Sequence, residues 1–128
     1  MNLVYKQLSL SESLNILKNN NYCHIGFSYN NKPYIVPINY GLMIKNDNNQ
    51  NLYYIEINSL KNCKKMNIIN ANNFVVINVE EAIESSVFSV LCYGRIIEVK
   101  EYNDVICKLI IKIDYITGRI ISNSYNNK

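Results

Sequence analysis

Lys61, Lys64 and Lys65 form the one tight basic cluster in a chain of formal net charge +3. They fall at the start of the segment 59–69, where Leu60, Cys63, Met66 and Ile69 repeat at helical spacing. A helix N-terminus already carries partial positive charge, so lysines belong there when an anion is held by both. The chemistry this favours is capture of a small anion at Lys64 and Lys65; a solvated helix face is the simpler alternative. A second unusual residue is Pro37, inside the strand-like run KPYIVPINYG (32–41). Proline brings no N–H to a ladder, so its position faces either an open sheet edge or a ligand.

Other chemistries are poorly served. His24 is the sole histidine, and the four cysteines, Cys23, Cys63, Cys92 and Cys107, contain no C-x-x-C pair. No metal site is expected, and a nucleophilic triad would have to be built on His24 alone. Cys63 beside two lysines has the setting of a lowered thiol pKa, although a plain apolar helix position is the simpler account. The absence of a secretory pattern and the unpaired cysteines suggest a reducing, cytoplasmic setting. No apolar run reaches the roughly 20 residues of a membrane-spanning helix. The basic residues are too dispersed for a nucleic-acid footprint.

These candidates need elements to hold them. At 128 residues with 48% apolar content the chain is expected to form one domain, residues 1–128. Ser9-Leu10-Ser11-Glu12 has the form of a capping box, and Leu10, Leu14 and Leu17 follow at helical spacing to about Lys18. YCHIGFSY (22–29) alternates as a strand, with Asn30 to Lys32 as a turn and PYIVPINYGLMI (33–44) as the returning arm. KNDNNQN (45–51) reads as a solvent loop, LYYIEI (52–57) and FVVINVE (74–80) as strands, and Glu81 to Ser86 as a loop. VFSVLCYGRIIEVK (87–100) is a long strand with a bend or bulge expected at Gly94. YNDVICKLIIKI (102–113) has the spacing of a second amphipathic helix, and the tail from Asp114 is weakly patterned. The sum is a small antiparallel β-barrel of α+β type, mainly β.

The order YCHIGF, KPYIVPINYG, EINSLKNCKKMNII, FSVLCYGRIIEV resembles the split-barrel flavin proteins related to pyridoxamine 5′-phosphate oxidase. The resemblance runs from Tyr22 to Tyr102 and is closest to the nitroimidazole-resistance branch. It implies a six-stranded antiparallel split β-barrel with short flanking helices, working as a homodimer with FMN in the cleft between subunits. It places the backbone of Val36, Pro37, Ile38, Asn39 and Tyr40 beside the isoalloxazine ring. Asn58, Ser59, Lys64 and Lys65 then surround the ribityl phosphate, and Ser89 reaches the flavin from the second subunit. Asn58 stands where nitroimidazole-resistance relatives often carry a histidine.

The function this implies is a small FMN-dependent oxidoreductase, passing electrons or hydride to a small-molecule substrate, with no catalytic acid or base assigned. The alternatives are a non-catalytic flavin- or haem-binding sensing module on the same barrel, and an interaction protein that has lost the cofactor.

Overall fold

The computed structural model of the chain describes residues 2–60 and 72–124. Nine elements are described: β1 (Asn2–Gln7), α1 (Leu10–Lys18), β2 (Tyr22–Tyr29), β3 (Lys32–Asn39), β4 (Gly41–Asp47), β5 (Gln50–Leu60), β6 (Phe74–Ile83), β7 (Ser86–Glu101) and β8 (Ile106–Ser124). All eight strands lie in one antiparallel sheet ordered β3-β2-β6-β7-β8-β5-β4, with β1 added on β8. The sheet is not closed, and β3 and β4 are its two ends. Those ends are consecutive in the chain, separated only by Tyr40.

Alternation builds the core. Cys23, Ile25 and Phe27 of β2 are buried, as are Ile55 and Ile57 of β5, Val75, Ile77 and Val79 of β6, and Leu109 and Ile111 of β8. Each such aliphatic side chain contributes about 1.5–3 kcal/mol by leaving water. The helix α1 is fixed by the expected capping box: the Glu12 N–H donates to Ser9 Oγ at 3.1 Å, and the Ser9 N–H to Glu12 Oε1 at 2.9 Å. The Ser9 N–H, and then the Ser9 side chain, both hydrogen-bonding the carboxylate, hold the Glu12 carboxyl below its ordinary range. Leu17 is buried and Leu14 packs against the core, whereas Leu10 is exposed.

The β2–β3 and β4–β5 hairpin turns are carried by asparagine. Asn30 and Asn31 have φ of 51° and 63°, and Asn48 and Asn49 have 52° and 65°, the left-handed pair that a two-residue hairpin turn demands and that asparagine tolerates. In such a turn the flanking residues Tyr29 and Lys32 exchange both backbone bonds, and alternation then turns the nitrogens of Pro33, Ile35 and Pro37 away from β2. Because β3 has no strand partner on its other side among the described residues, Pro37 removes an N–H that no described ladder uses.

Four expectations are corrected. The sheet has eight strands rather than six, and α1 is the one helix among the described residues. Residues 106–113, expected as helix, belong to β8, which continues through the tail to Ser124. Its first half lies between β5 and β7: Cys107, Leu109, Ile111 and Ile113 alternate into the core, while Ile106 and Ile110 interrupt the lysines of the outer face, so Ile106, Leu109, Ile110 and Ile113 satisfy helical spacing while the chain is extended. The stretches 45–51 and 81–86, expected as loops, are strand ends closing on two-residue turns. The bulge at Gly94 is present as a register shift between Tyr93 and Gly94; a Cβ there would collide with the Lys112 carbonyl. Of the helix expected over 59–69, Ser59 and Leu60 belong to β5; Lys61, Cys63, Lys64 and Lys65 lie outside the described residues. Among the described residues no helix is long and apolar enough to cross a membrane.

Candidate functional site

Because β3 and β4 end the sheet on opposite sides, a cleft opens where the chain passes between them. It measures about 440 Å³ and is lined by Ile38, Asn39, Tyr40, Gly41, Glu56 and Asn58. Each strand supplies what its parity allows. Asn58 and Glu56 face away from the core on β5, while their neighbours Ser59, Ile57 and Ile55 are buried. Gly41 pairs with Glu56, and a Cβ on Gly41 would meet nothing within 4 Å. The floor of the cleft is therefore bare backbone beside open space.

Tyr40 fixes the junction. It is buried, its hydroxyl donates to the Leu17 carbonyl at 2.6 Å, and its N–H donates to the Asn21 carbonyl at 3.0 Å. The hydroxyl is thus spent on the end of α1, and Tyr40 offers the cleft its ring and backbone. Glu56 accepts from Lys108, with Nζ to Oε1 at 3.3 Å and both side chains about one-third exposed.

The cleft gathers Ile38, Asn39, Tyr40 and Asn58 of the sequence-derived set. Val36 and Pro37 precede them on the same strand, Val36 packed against the core and Pro37 exposed. Ser59 is buried and its hydroxyl donates to the Leu60 carbonyl at 3.4 Å. Lys64 and Lys65 lie outside the described residues. Ser89 does not line this cleft. It sits on β7, accepts from Asn78 Nδ2 at 3.0 Å, and donates to Glu80 at 3.4 Å, on the side of its strand that faces away from the core. Sequence reasoning missed Gly41, Glu56 and Lys108. Outward parity on LYYIEI could have flagged Glu56 beside Asn58; Lys108 was hidden by the helical spacing of its segment.

A larger hollow of about 620 Å³ lies between the β3-β2-β6 strands, lined by Ile35, Pro33, Phe74 and Tyr93 among others. The register carries that surface across the sheet as a row, Ile35, Gly26, Val76, Tyr93 and Tyr115. The rings of Tyr93 and Tyr115 stack with centroids 4.5 Å apart. Ile35 is 68% exposed and Phe74 63%. With few polar groups to orient a small ligand, this face has the character of a surface awaiting cover.

An open antiparallel sheet whose two ends meet at one residue, with a helix over its core and a cleft at the meeting point, defines a split-barrel protein. The chain belongs to the pyridoxamine 5′-phosphate oxidase family, whose model matches residues 9–114. No curated protein sequence matches it significantly. Among solved structures, a FAD-binding protein from Mesorhizobium loti shares the fold with TM-score 0.76 at 20% identity, over 95% of this chain and all of that one. A candidate 5-nitroimidazole antibiotic resistance protein from Bacteroides thetaiotaomicron aligns with TM-score 0.77 at 16% identity, covering 94% of this chain and 90% of that one. A FAD-binding protein from Mycobacterium smegmatis aligns with TM-score 0.72 at 21% identity, covering 91% and 98%.

Proposed function

We propose that this chain binds FMN in the cleft at the β3–β4 junction and acts as a small flavin-dependent oxidoreductase toward a small-molecule substrate. The observation that carries this is the meeting of Ile38, Asn39 and Tyr40 with Asn58 around one opening; these two segments lie on either side of the β4–β5 hairpin turn and are the two that family resemblance assigns to ring and phosphate. The volume lies within the range of cofactor clefts. Gly41, without a side chain, leaves room for a planar group against the backbone. The backbone of Val36 to Tyr40 would flank the ring, and Asn58, Ser59, Lys64 and Lys65 would hold the phosphate. A bound flavin supplies the hydride or electron transfer itself; this chain's part is anchorage, orientation and exclusion of water.

The exposed apolar row from Ile35 to Tyr115 supports a homodimer. A second copy seated there would cover surface that one chain leaves in water and would bring its own Ser89, on the same face, towards the first copy's β3 edge. Light scattering should then report twice 14.9 kDa; a monomer at micromolar concentration contradicts the shared site.

Glu56, the one carboxylate lining the cleft among the described residues, is engaged by Lys108, which leaves no described acid poised for proton transfer. That favours either chemistry confined to the flavin or the second reading, a binding or sensing module without turnover. A visible spectrum with FMN, followed by anaerobic NADH and NADPH, separates them. Bleaching of the flavin supports the oxidoreductase; a bound flavin that neither donor reduces supports the module; a protein that leaves FMN free contradicts both.

A further inference from the structure

We infer that Lys108 is a phosphate-binding residue of the cleft, held in reserve by Glu56. The inference rests on the FMN reading above and adds to it a cation from β8. Lys108 is the direct cross-strand partner of Asn58, and in an antiparallel pair such residues project from the same face with Cβ atoms about 5 Å apart. Asn58 lines the cleft, and so does Glu56, to which the Lys108 ammonium is bound at 3.3 Å. Among the described residues, Lys108 is the one cation in register with a lining residue.

A second, independent observation is that Lys108 also pairs with Lys100 across β7 and β8. Like charges directly opposite one another destabilise a sheet. Each lysine has its own carboxylate, Glu56 for Lys108 and Glu98 for Lys100 at 3.8 Å. The row Asn58, Lys108, Lys100 therefore runs away from the cleft as an amide followed by two partly neutralised cations. A phosphate monoester beside Asn58 would meet Lys108 first, and its negative charge would relieve the repulsion from Lys100. Lys108 need only turn from Glu56 towards the anion, at the cost of a partly exposed ion pair, which is small. Glu56 is then a competitor for the ammonium as well as its holder.

The test is titration of FMN and riboflavin, followed by flavin fluorescence, into the wild-type protein and into Lys108→Met, Lys108→Arg and Glu56→Gln. Lys108→Met should weaken FMN by about tenfold or more, the loss of one charge-assisted bond, and leave riboflavin unchanged. Lys108→Arg should retain FMN. Glu56→Gln, which removes the competing carboxylate, should tighten FMN and not riboflavin. Wild-type FMN affinity in Lys108→Met, or equal loss of both flavins, overturns the role of Lys108 while leaving the cofactor reading in place. If Lys108→Met fails to fold, Glu56→Gln decides alone, and unchanged FMN affinity overturns the inference. A wild-type protein that takes neither flavin overturns both.

Discussion

The Tyr40 hydroxyl donates to the Leu17 carbonyl at 2.6 Å, so the residue that joins the two ends of the open sheet also holds the last turn of α1. Helix position and cleft geometry are coupled through this bond and through the Tyr40 N–H to the Asn21 carbonyl.

Removing the hydroxyl leaves a buried helix-terminal carbonyl without its partner, which costs about 1–3 kcal/mol. Tyr40→Phe is therefore expected to unfold at lower urea concentration with an unchanged slope. A midpoint equal to that of the wild type would mean that α1 docks without the bond.

Gly118 is where β8 passes under the helix: a Cβ there would collide with Ser13 Oγ and press on Leu8. Gly118→Ala should destabilise the protein by about 1–3 kcal/mol through overpacking, and Gly118→Ala combined with Ser13→Gly should recover much of it. Additive losses in the double variant would place the strain elsewhere.

Burial pushes the thiols of Cys23 and Cys92 from 9.0 up to about 12, and Cys23 further disfavours charge on Cys92. The folded values lie above the unfolded ones. This contribution to stability is therefore complete below about pH 9 and is lost as pH rises towards about 12. Within that window each thiol costs about 1.4 kcal/mol per pH unit. Urea unfolding between about pH 8 and pH 10 should show the decline beginning near pH 9, and Cys23→Ala with Cys92→Ala should flatten it. An equally steep decline in the double variant would assign it to other groups.

Much of this was legible in the sequence, because local rules and tertiary context agree there. The capping box at Ser9 and Glu12, the alternation of YCHIGF and FVVINVE, the bulge at Gly94 and the edge position implied by Pro37 all depend on one strand or one turn. The failures share a cause. In Ile106 to Ile113 the outward-facing Ile106 and Ile110 alternate with Lys108 and Lys112, and together with the core-facing Leu109 and Ile113 they produce helical spacing in an extended strand. The pairing of β1 with residues 119–124 joins the two ends of the sequence, which no local pattern announces. For the site, proline and the Y-G step marked β3, whereas Glu56 and Lys108 emerged only once β5 and β8 were in register.

Pro37 has its nitrogen on the free edge of β3, so Pro37→Ala adds an N–H that water can satisfy and should change stability by less than about 1 kcal/mol. If the cofactor ring lies beside that edge, the same variant should weaken FMN while its unfolding midpoint holds. Loss of stability with full FMN affinity in the folded fraction would make Pro37 a device of the sheet alone.

The central claim is the location of the cofactor, and Gly41 gives the most direct test. Its φ is not in the left-handed region, and a side chain there enters open space at the floor of the cleft. FMN titration of Gly41→Phe beside the wild type, with both unfolding midpoints measured, is therefore decisive. The cleft account predicts saturable binding at one flavin per chain in the wild type and none in Gly41→Phe, with the two midpoints equal. Wild-type affinity in Gly41→Phe would contradict it and move the flavin to another surface, the apolar hollow beside Ile35 and Phe74 being the next to examine.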